Sequence, residues 1–395
     1  MQYFSIYDLL MGESSRNGFS EDEVFSYFRK YKISKNEILS LKNLTYLPNG
    51  KLLKEGIQKL TKMNELQISL SLGHIPMEYR DSYFGRIKEI SELLSKKEIN
   101  PIPELCPYFS NEWGKLYNAD CQQFLRTLKS DSVDLIFADP PFNLNKTYDP
   151  GIKDDLTVSA YLNWTYKWLN ECIRVLKPGG RFFVYNLPKW NIYIASFLGN
   201  RLCFWDWIAV DMKFSLPIAG RLYPSHYSLV SYIKGEKPNT YHNQRIPMQT
   251  CRHCGGEIRD YGGYKSKLNI NGINVSDVWS DIYPVRHKSS KNRDYNELSV
   301  KLLDRVISMS TNEGDLVLDP FGGSGTTFAV AQWLKRRWIG CELGDCSVIT
   351  NRLVKPEKDS SQLERIYEEK NHLFTNSVKK LRKENGFWLS EEKSK

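Results

Sequence analysis

Residues 315–342 read DLVLDPFGGSGTTFAVAQWLKRRWIGCE. The apolar run from Asp315 to Asp319 has the length and β-branched bias of a buried strand. It enters a turn carrying Gly322, Gly323 and Gly325, then the helical stretch TTFAVAQWLKRR, then a second strand, RWIGCE, ending in Glu342, 23 residues after Asp319. Strand, helix and strand in this order build a parallel α/β unit. The same rhythm occurs earlier, where VDLIFA and RFFVY flank SAYLNWTYKWLNECIRVL. That helix places Leu162, Thr165, Leu169, Cys172 and Leu176 on one face, and KPGG is expected to stop it. The fold class is therefore α/β, a mostly parallel sheet with helices on both faces.

Glycines at a strand-to-helix turn let the backbone approach a ligand and leave helix N-terminal amides available. A Walker A loop would need a lysine that is absent, and the turn does not fit G-x-G-x-x-G. An adenosine-bearing ligand without a pyrophosphate fits better, with Glu342 placed to accept hydrogen bonds from ribose hydroxyls. A tight turn with no ligand is the plainer alternative, and the acid at the next strand end weighs against it. A second strand end is odd in another way: FADPPFNL, residues 137–144, closes the VDLI run with an acid, two prolines and an aromatic ring.

The chain has 395 residues, 41% of them hydrophobic, enough for a large core and two or three units. Its formal charge is +9, and residues 237–293 carry ten Lys/Arg against four Asp/Glu, which suits a polyanionic partner. Eight scattered cysteines with one CxxC pair point to a reducing compartment rather than a disulfide framework. No secretion signal is visible at the start. The most apolar region, Arg181 to Val210, is broken by Asn186, Pro188, Lys189, Arg201 and Asp206, short of the ~20 apolar residues of a membrane span. A soluble cytoplasmic protein with no membrane partner is expected.

Five segments follow. Residues 1–105 read as a helical N-terminal domain ending at Pro101-Ile102-Pro103, with a hairpin at LTYLPNGKLL. A packing or partner role suits it better than a winged-helix DNA reader. Residues 106–234 hold the DPPF strand end, 235–295 form a loop-rich basic insertion, 296–354 hold the glycine turn, and 355–395 read as a charged C-terminal helix or tail. In the insertion, Cys251 and Cys254 have zinc-ligand spacing. A second pair is missing, closure would require His242, His253, Cys203 or His287 to converge, and a reduced pair in a turn is the expected state. No metal site is assigned.

DPPF together with DPFGGSGTT resembles the two signature motifs of the DNA amino-methyltransferases. Their order, with DPPF first, a basic variable region next and the glycine turn last, is similar to the permuted beta class, over about residues 112–350. The resemblance implies a seven-stranded methyltransferase sheet, S-adenosyl-L-methionine as cofactor, double-stranded DNA as partner and 235–295 as target-recognition region. It carries cofactor binding to Asp319, Pro320, Phe321, Gly322, Gly323, Ser324, Gly325, Thr326, Thr327 and Glu342, and to Asp120 and Cys121 of LYNADC. Catalysis falls to Asp139, Pro140, Pro141 and Phe142, with His226 and Tyr227 near a base pocket. The Lys-Pro that family members often carry before the glycine-rich strand is replaced here by Asn296-Glu297-Leu298-Ser299.

What the resemblance implies is transfer to a flipped-out adenine N6, because an Asp or Asn before the prolines usually accompanies adenine and a Ser cytosine N4. Cytosine N4 is the alternative, followed by an RNA base methyltransferase and a silent DNA-binding subunit. A restriction-modification setting, a separate cognate endonuclease and a homodimer complete the implied partners.

Overall fold

The computed structural model describes residues 104–144, 154–213, 216–220, 222–251, 253–260, 262–285 and 297–389. The helical domain and hairpin anticipated before residue 104, and His287, lie outside them. In chain order the elements are β1 (Phe109–Ser110), β2 (Gly114–Asn118), α1 (Cys121–Thr127), β3 (Val133–Ala138), α2 (Val158–Val175), β4 (Leu176–Asn186) and α3 (Pro188–Gly199). Then come β5 (Cys203–Asp211), β6 (His226–Ile233), β7 (Arg245–Ile246), β8 (Ile273–Asn274) and β9 (Val278–Trp279). The last stretch supplies α4 (Val300–Ser310), β10 (Leu316–Asp319), α5 (Thr326–Trp333), β11 (Arg337–Glu342), α6 (Ser347–Val354), α7 (Glu357–Glu369) and α8 (Asn376–Glu384).

Nine strands form one sheet in the order β1-β2-β11-β10-β3-β4-β6-β5-β9. The five from β2 to β4 in that order are parallel, while β6 runs against β4 and β5 against β6. The expected seven strands are its body; the two-residue β1 and β9 lengthen its edges. Side chains alternate between two cores, as period two requires. Leu135, Phe137 and Phe183 join a cluster with residues of α4 and α5, whereas Phe182 meets Trp168 of α2 on the other face.

KPGG follows α2 directly, as a helix stop should: the helix ends at Val175, and the tetrapeptide then lies inside β4, where the pairing register with β3 slips between Val133 and Leu135. The slip absorbs Gly179 in the left-handed region, at φ 76°, where a Cβ would strike the side chain of Asn239. The C-terminal segment forms two helices, α7 and α8, rather than one.

Candidate active site

β10 and β3 are parallel neighbours, with Val317 opposite Leu135 and Leu318 opposite Ile136. Both therefore deliver their C-terminal residues to one edge of the sheet, the position at which open α/β sheets hold ligands. Asp139, half-buried, and Pro140, buried, follow β3. The turn beyond them is held by side chains from α2 and α3. The Tyr161 hydroxyl donates to the Pro141 carbonyl at 2.7 Å and in turn accepts from Asn186 Nδ2 at 3.2 Å, while Trp190 Nε1 donates to the Phe142 carbonyl at 2.6 Å. Of three successive carbonyls, those of Pro141 and Phe142 are thus the two held by described side chains. The Phe142 ring lies 5.9 Å from Tyr227 and 6.3 Å from Tyr185, and those two rings lie 5.0 Å apart. Burial, then the neighbouring Tyr227 and Asp139, push the Tyr185 phenol well above its ordinary range, so it stays protonated.

The glycine loop is built inward from Asp319. One carboxylate oxygen accepts from Phe321 N at 2.9 Å and the other from the Thr327 hydroxyl at 2.5 Å. Burial pushes the Asp319 carboxyl well up, and the charges of Asp139 and Glu342 push the same way against those hydrogen bonds. The three acids therefore share one edge. Glu342 accepts from Gly323 N at 2.6 Å and Gly344 N at 2.9 Å, so it already fixes the loop it faces. Gly325, at φ 79°, sits where a Cβ would come within 2.8 Å of Ile349. Asp120 caps α1 by accepting from Gln122 N at 2.9 Å and Gln123 N at 3.2 Å, and β2 pairs with β11 up to Asn118 opposite Glu342. The fit for an adenosine-bearing ligand is good: a half-exposed acid closes β11, an aromatic ring at Phe321 braces the loop against Trp168 at 5.1 Å and Trp164 at 5.7 Å, and the loop opens onto a helix N-terminus.

Comparison with known proteins gives this edge a lineage. Residues 133–348 match the family model described as DNA methylase. The chain belongs to the DNA methylase family. It is similar to the type II methyltransferase M.BamHI of Bacillus amyloliquefaciens, at 53% identity over 99% of this chain and 94% of that protein. A DNA adenine methyltransferase, YhdJ, of Escherichia coli K12 is 30% identical over 60% of this chain and 80% of that protein. Among solved structures, the PvuII DNA methyltransferase (cytosine-N4-specific) is 21% identical with a TM-score of 0.42, covering 63% of this chain and 95% of that one.

Several predicted site residues of the methylase serve the loop rather than its open side. Cys121 is buried, which pushes its thiol up; Ser324, Thr326 and Thr327 are buried, and Thr327 is spent on Asp319. Pro320 gives its carbonyl to Cys341 Sγ at 3.2 Å. Beneath Ser324 and Thr326 lies a residue that sequence reasoning missed. Buried Arg352 of α6 donates to the Thr326 hydroxyl at 2.8 Å and the Ser324 hydroxyl at 3.1 Å, holds both oxygens of Asp359 at 2.7 and 2.8 Å, and pairs with Glu297 at 3.0 Å. Arginine beside an asparagine and a leucine in NRLV looks like an ordinary solvated position; only the fold turns it inward. Tyr161, Trp164 and Trp168 were also missed, although their spacing of three and four on one helix was a visible signal.

The insertion divides. Where the chain leaves β6 it is at the edge opposite the acids: Asn239 Nδ2 bonds the Pro178 carbonyl at 2.7 Å, near the start of β4, and His242 N bonds the Met309 carbonyl at 2.9 Å, near the end of α4. The β7–β8 ladder stems from there. Cys251 and Cys254 form a turn closed by Gly255 N on the Cys251 carbonyl at 2.9 Å. Among the described residues no three ligand-bearing side chains converge to hold a metal. Hydrogen bonds from the His253 and Cys254 backbone and from the Cys254 side chain lower the Cys251 thiol. From β9 onward the chain returns toward the acids, and Asp281 pairs with Arg305 at 2.6 Å and Lys301 at 2.8 Å at α4.

Proposed function

We propose that this methylase moves a methyl group from S-adenosyl-L-methionine to the exocyclic amino group of a base flipped out of double-stranded DNA, with adenine N6 as the expected acceptor. The observation that carries the reading is one sheet edge bearing both Asp139, with the Pro140 carbonyl beside it, and the acid-lined glycine loop. Asp319 through Thr327 would hold the cofactor with Glu342 and Asp120, and the bound cofactor supplies an electrophilic methyl on a sulfonium. The rest is done by the chain's own groups.

An exocyclic amine is a weak nucleophile because its lone pair is delocalised into the ring. Accepting one N–H at the Asp139 carboxylate and the other at the Pro140 carbonyl favours a pyramidal nitrogen with its lone pair aimed out of the ring plane. The prolines fix φ and hold these acceptors before substrate arrives. Phe142, backed by Tyr185 and Tyr227, offers the flipped base a ring to stack on, worth ~1–3 kcal/mol. Asp139 takes up no covalent bond.

Target reading is assigned to the interval 235–295, with its returning part, beyond β9, on the side of the acids. A restriction-modification role, a separate endonuclease, a homodimer and a cytoplasmic location complete the proposal. Eight free cysteines accord with a reducing compartment, and no helix among the described residues is long and apolar enough to cross a membrane. The test is transfer of labelled methyl to unmethylated plasmid DNA, followed by nucleoside digestion and mass spectrometry. N6-methyladenine is expected; N4-methylcytosine would reassign the base, since the same two acceptors serve either amine. Label in structured RNA alone, or in neither, would overturn the reading.

A further inference from the structure

The connection from β5 to β6 lies at the edge of the sheet that carries the acids. β4 is parallel to β3, β6 antiparallel to β4 and β5 antiparallel to β6, with Asp211 opposite His226. The described residues between these strands, 212–213, 216–220 and 222–225, therefore follow from the same edge as Asp139. Their base is closed by Met212 N on the Ser225 carbonyl at 2.8 Å, and Lys213 pairs with Asp211 at 2.7 Å. Above that clamp the loop shows apolar side chains to solvent. Leu222 is 95% exposed and Leu216 82%, the two most exposed large apolar side chains among the described residues, with Ile218 and Tyr223 also exposed. Gly220, at φ 75°, has open space around it and lies between Pro217 and Pro224 in sequence.

We infer that Leu216 and Leu222 are the wedge that enters the DNA base stack as the target base leaves it. The inference rests on the function proposed above. Two leucines exposed by 82% and 95% on one connection offer apolar contact area, and the partner follows from continuity. Four residues after Tyr223 stands Tyr227, 5.9 Å from Phe142, so one hairpin carries both the apolar tip and part of the platform for the flipped base. Half-buried Asp139 is out of reach of a stacked base, extrusion leaves a gap, and apolar side chains inserted between base steps are the recurrent way such gaps are stabilised.

The test uses the full chain with Leu216→Ser and Leu222→Ser together. Once the site methylated by the unaltered protein is mapped by single-molecule sequencing, two duplexes carrying it are compared, one fully paired and one with an abasic residue opposite the target base. The double variant should lose about tenfold or more in transfer to the paired duplex and regain most of it on the abasic duplex, where extrusion is already easy. S-adenosylmethionine binding and melting temperature should not move. Equal loss on both duplexes, no loss on either, or a change confined to sedimentation, which would make the leucines a contact between two copies, overturns the wedge. No transfer by the unaltered protein to any DNA would instead overturn the proposed function.

Discussion

Asp139 and Asp319 come from matching strand ends and meet opposite demands. Asp319 is sealed, its oxygens given to Phe321 N and Thr327, whereas Asp139 is half-buried at the open side. Asp139→Ala should reduce transfer by about a hundred- to a thousandfold, the usual effect of losing one preorganised polar contact to the reacting group. Cofactor binding, followed by calorimetry, should stay largely intact; a parallel loss of affinity would place Asp139 in the cofactor site instead. Asp281 answers to pH. Burial disfavours its charge, but hydrogen bonds and charge from Arg305 and Lys301 outweigh this and hold the carboxyl down at about 2. A depressed acid stabilises the fold above its unfolded value and loses that contribution as pH falls through its folded value. Roughly 2 kcal/mol should therefore vanish between about pH 4 and pH 2. Asp281→Asn should flatten that part of a urea-denaturation series.

At the scale of elements, α6 and α7 act on the glycine loop through one guanidinium. Arg352→Gln should raise the S-adenosylmethionine concentration for half-maximal rate by about tenfold, the effect of a ~1.4 kcal/mol loss. The rate at saturation should hardly change, and Arg352→Lys, which keeps charge without the fork, should fall between. A fall in saturated rate with unchanged half-saturation would contradict this. The strands and the two motifs were legible because their signals are local: β3 and β11 coincide with VDLIFA and RWIGCE. Arg352, Glu297 and Asp359 were not, because they lie apart in sequence and meet only through tertiary packing. KPGG marked the end of α2 at Val175 correctly, but not the start of the next strand. Its proline and glycine are strong local breakers, yet the register slip against β3 and the close approach of Asn239 let the strand run through them.

Over the whole molecule, the insertion and the C-terminal helices form one body. Met248 N bonds the Leu373 carbonyl at 2.8 Å and Leu373 N the Ile270 carbonyl at 2.7 Å, while buried Arg382 donates to the carbonyls of Gly255, Gly256 and Trp388. The segment read from sequence as a charged C-terminal helix or tail thus supports the CxxC turn. Arg382→Ala strands three carbonyls and should cost ~2 kcal/mol or more. Limited proteolysis should then cut first between residues 245 and 275, with cofactor binding retained; cleavage elsewhere would show the two regions to be independent.

The strand order carries a consequence for the growing chain. β10 and β11 fill the middle of the sheet, between β3 and β2, yet they are among the last strands made. Until residue 342 leaves the ribosome, β2 and β3 have no neighbour on their inner sides, two unpaired edges of the kind that recruit other chains. Closure then joins partners nearly two hundred residues apart, a non-local step that is slow by nature. A nascent copy therefore passes most of its synthesis open at the centre and closes at the end.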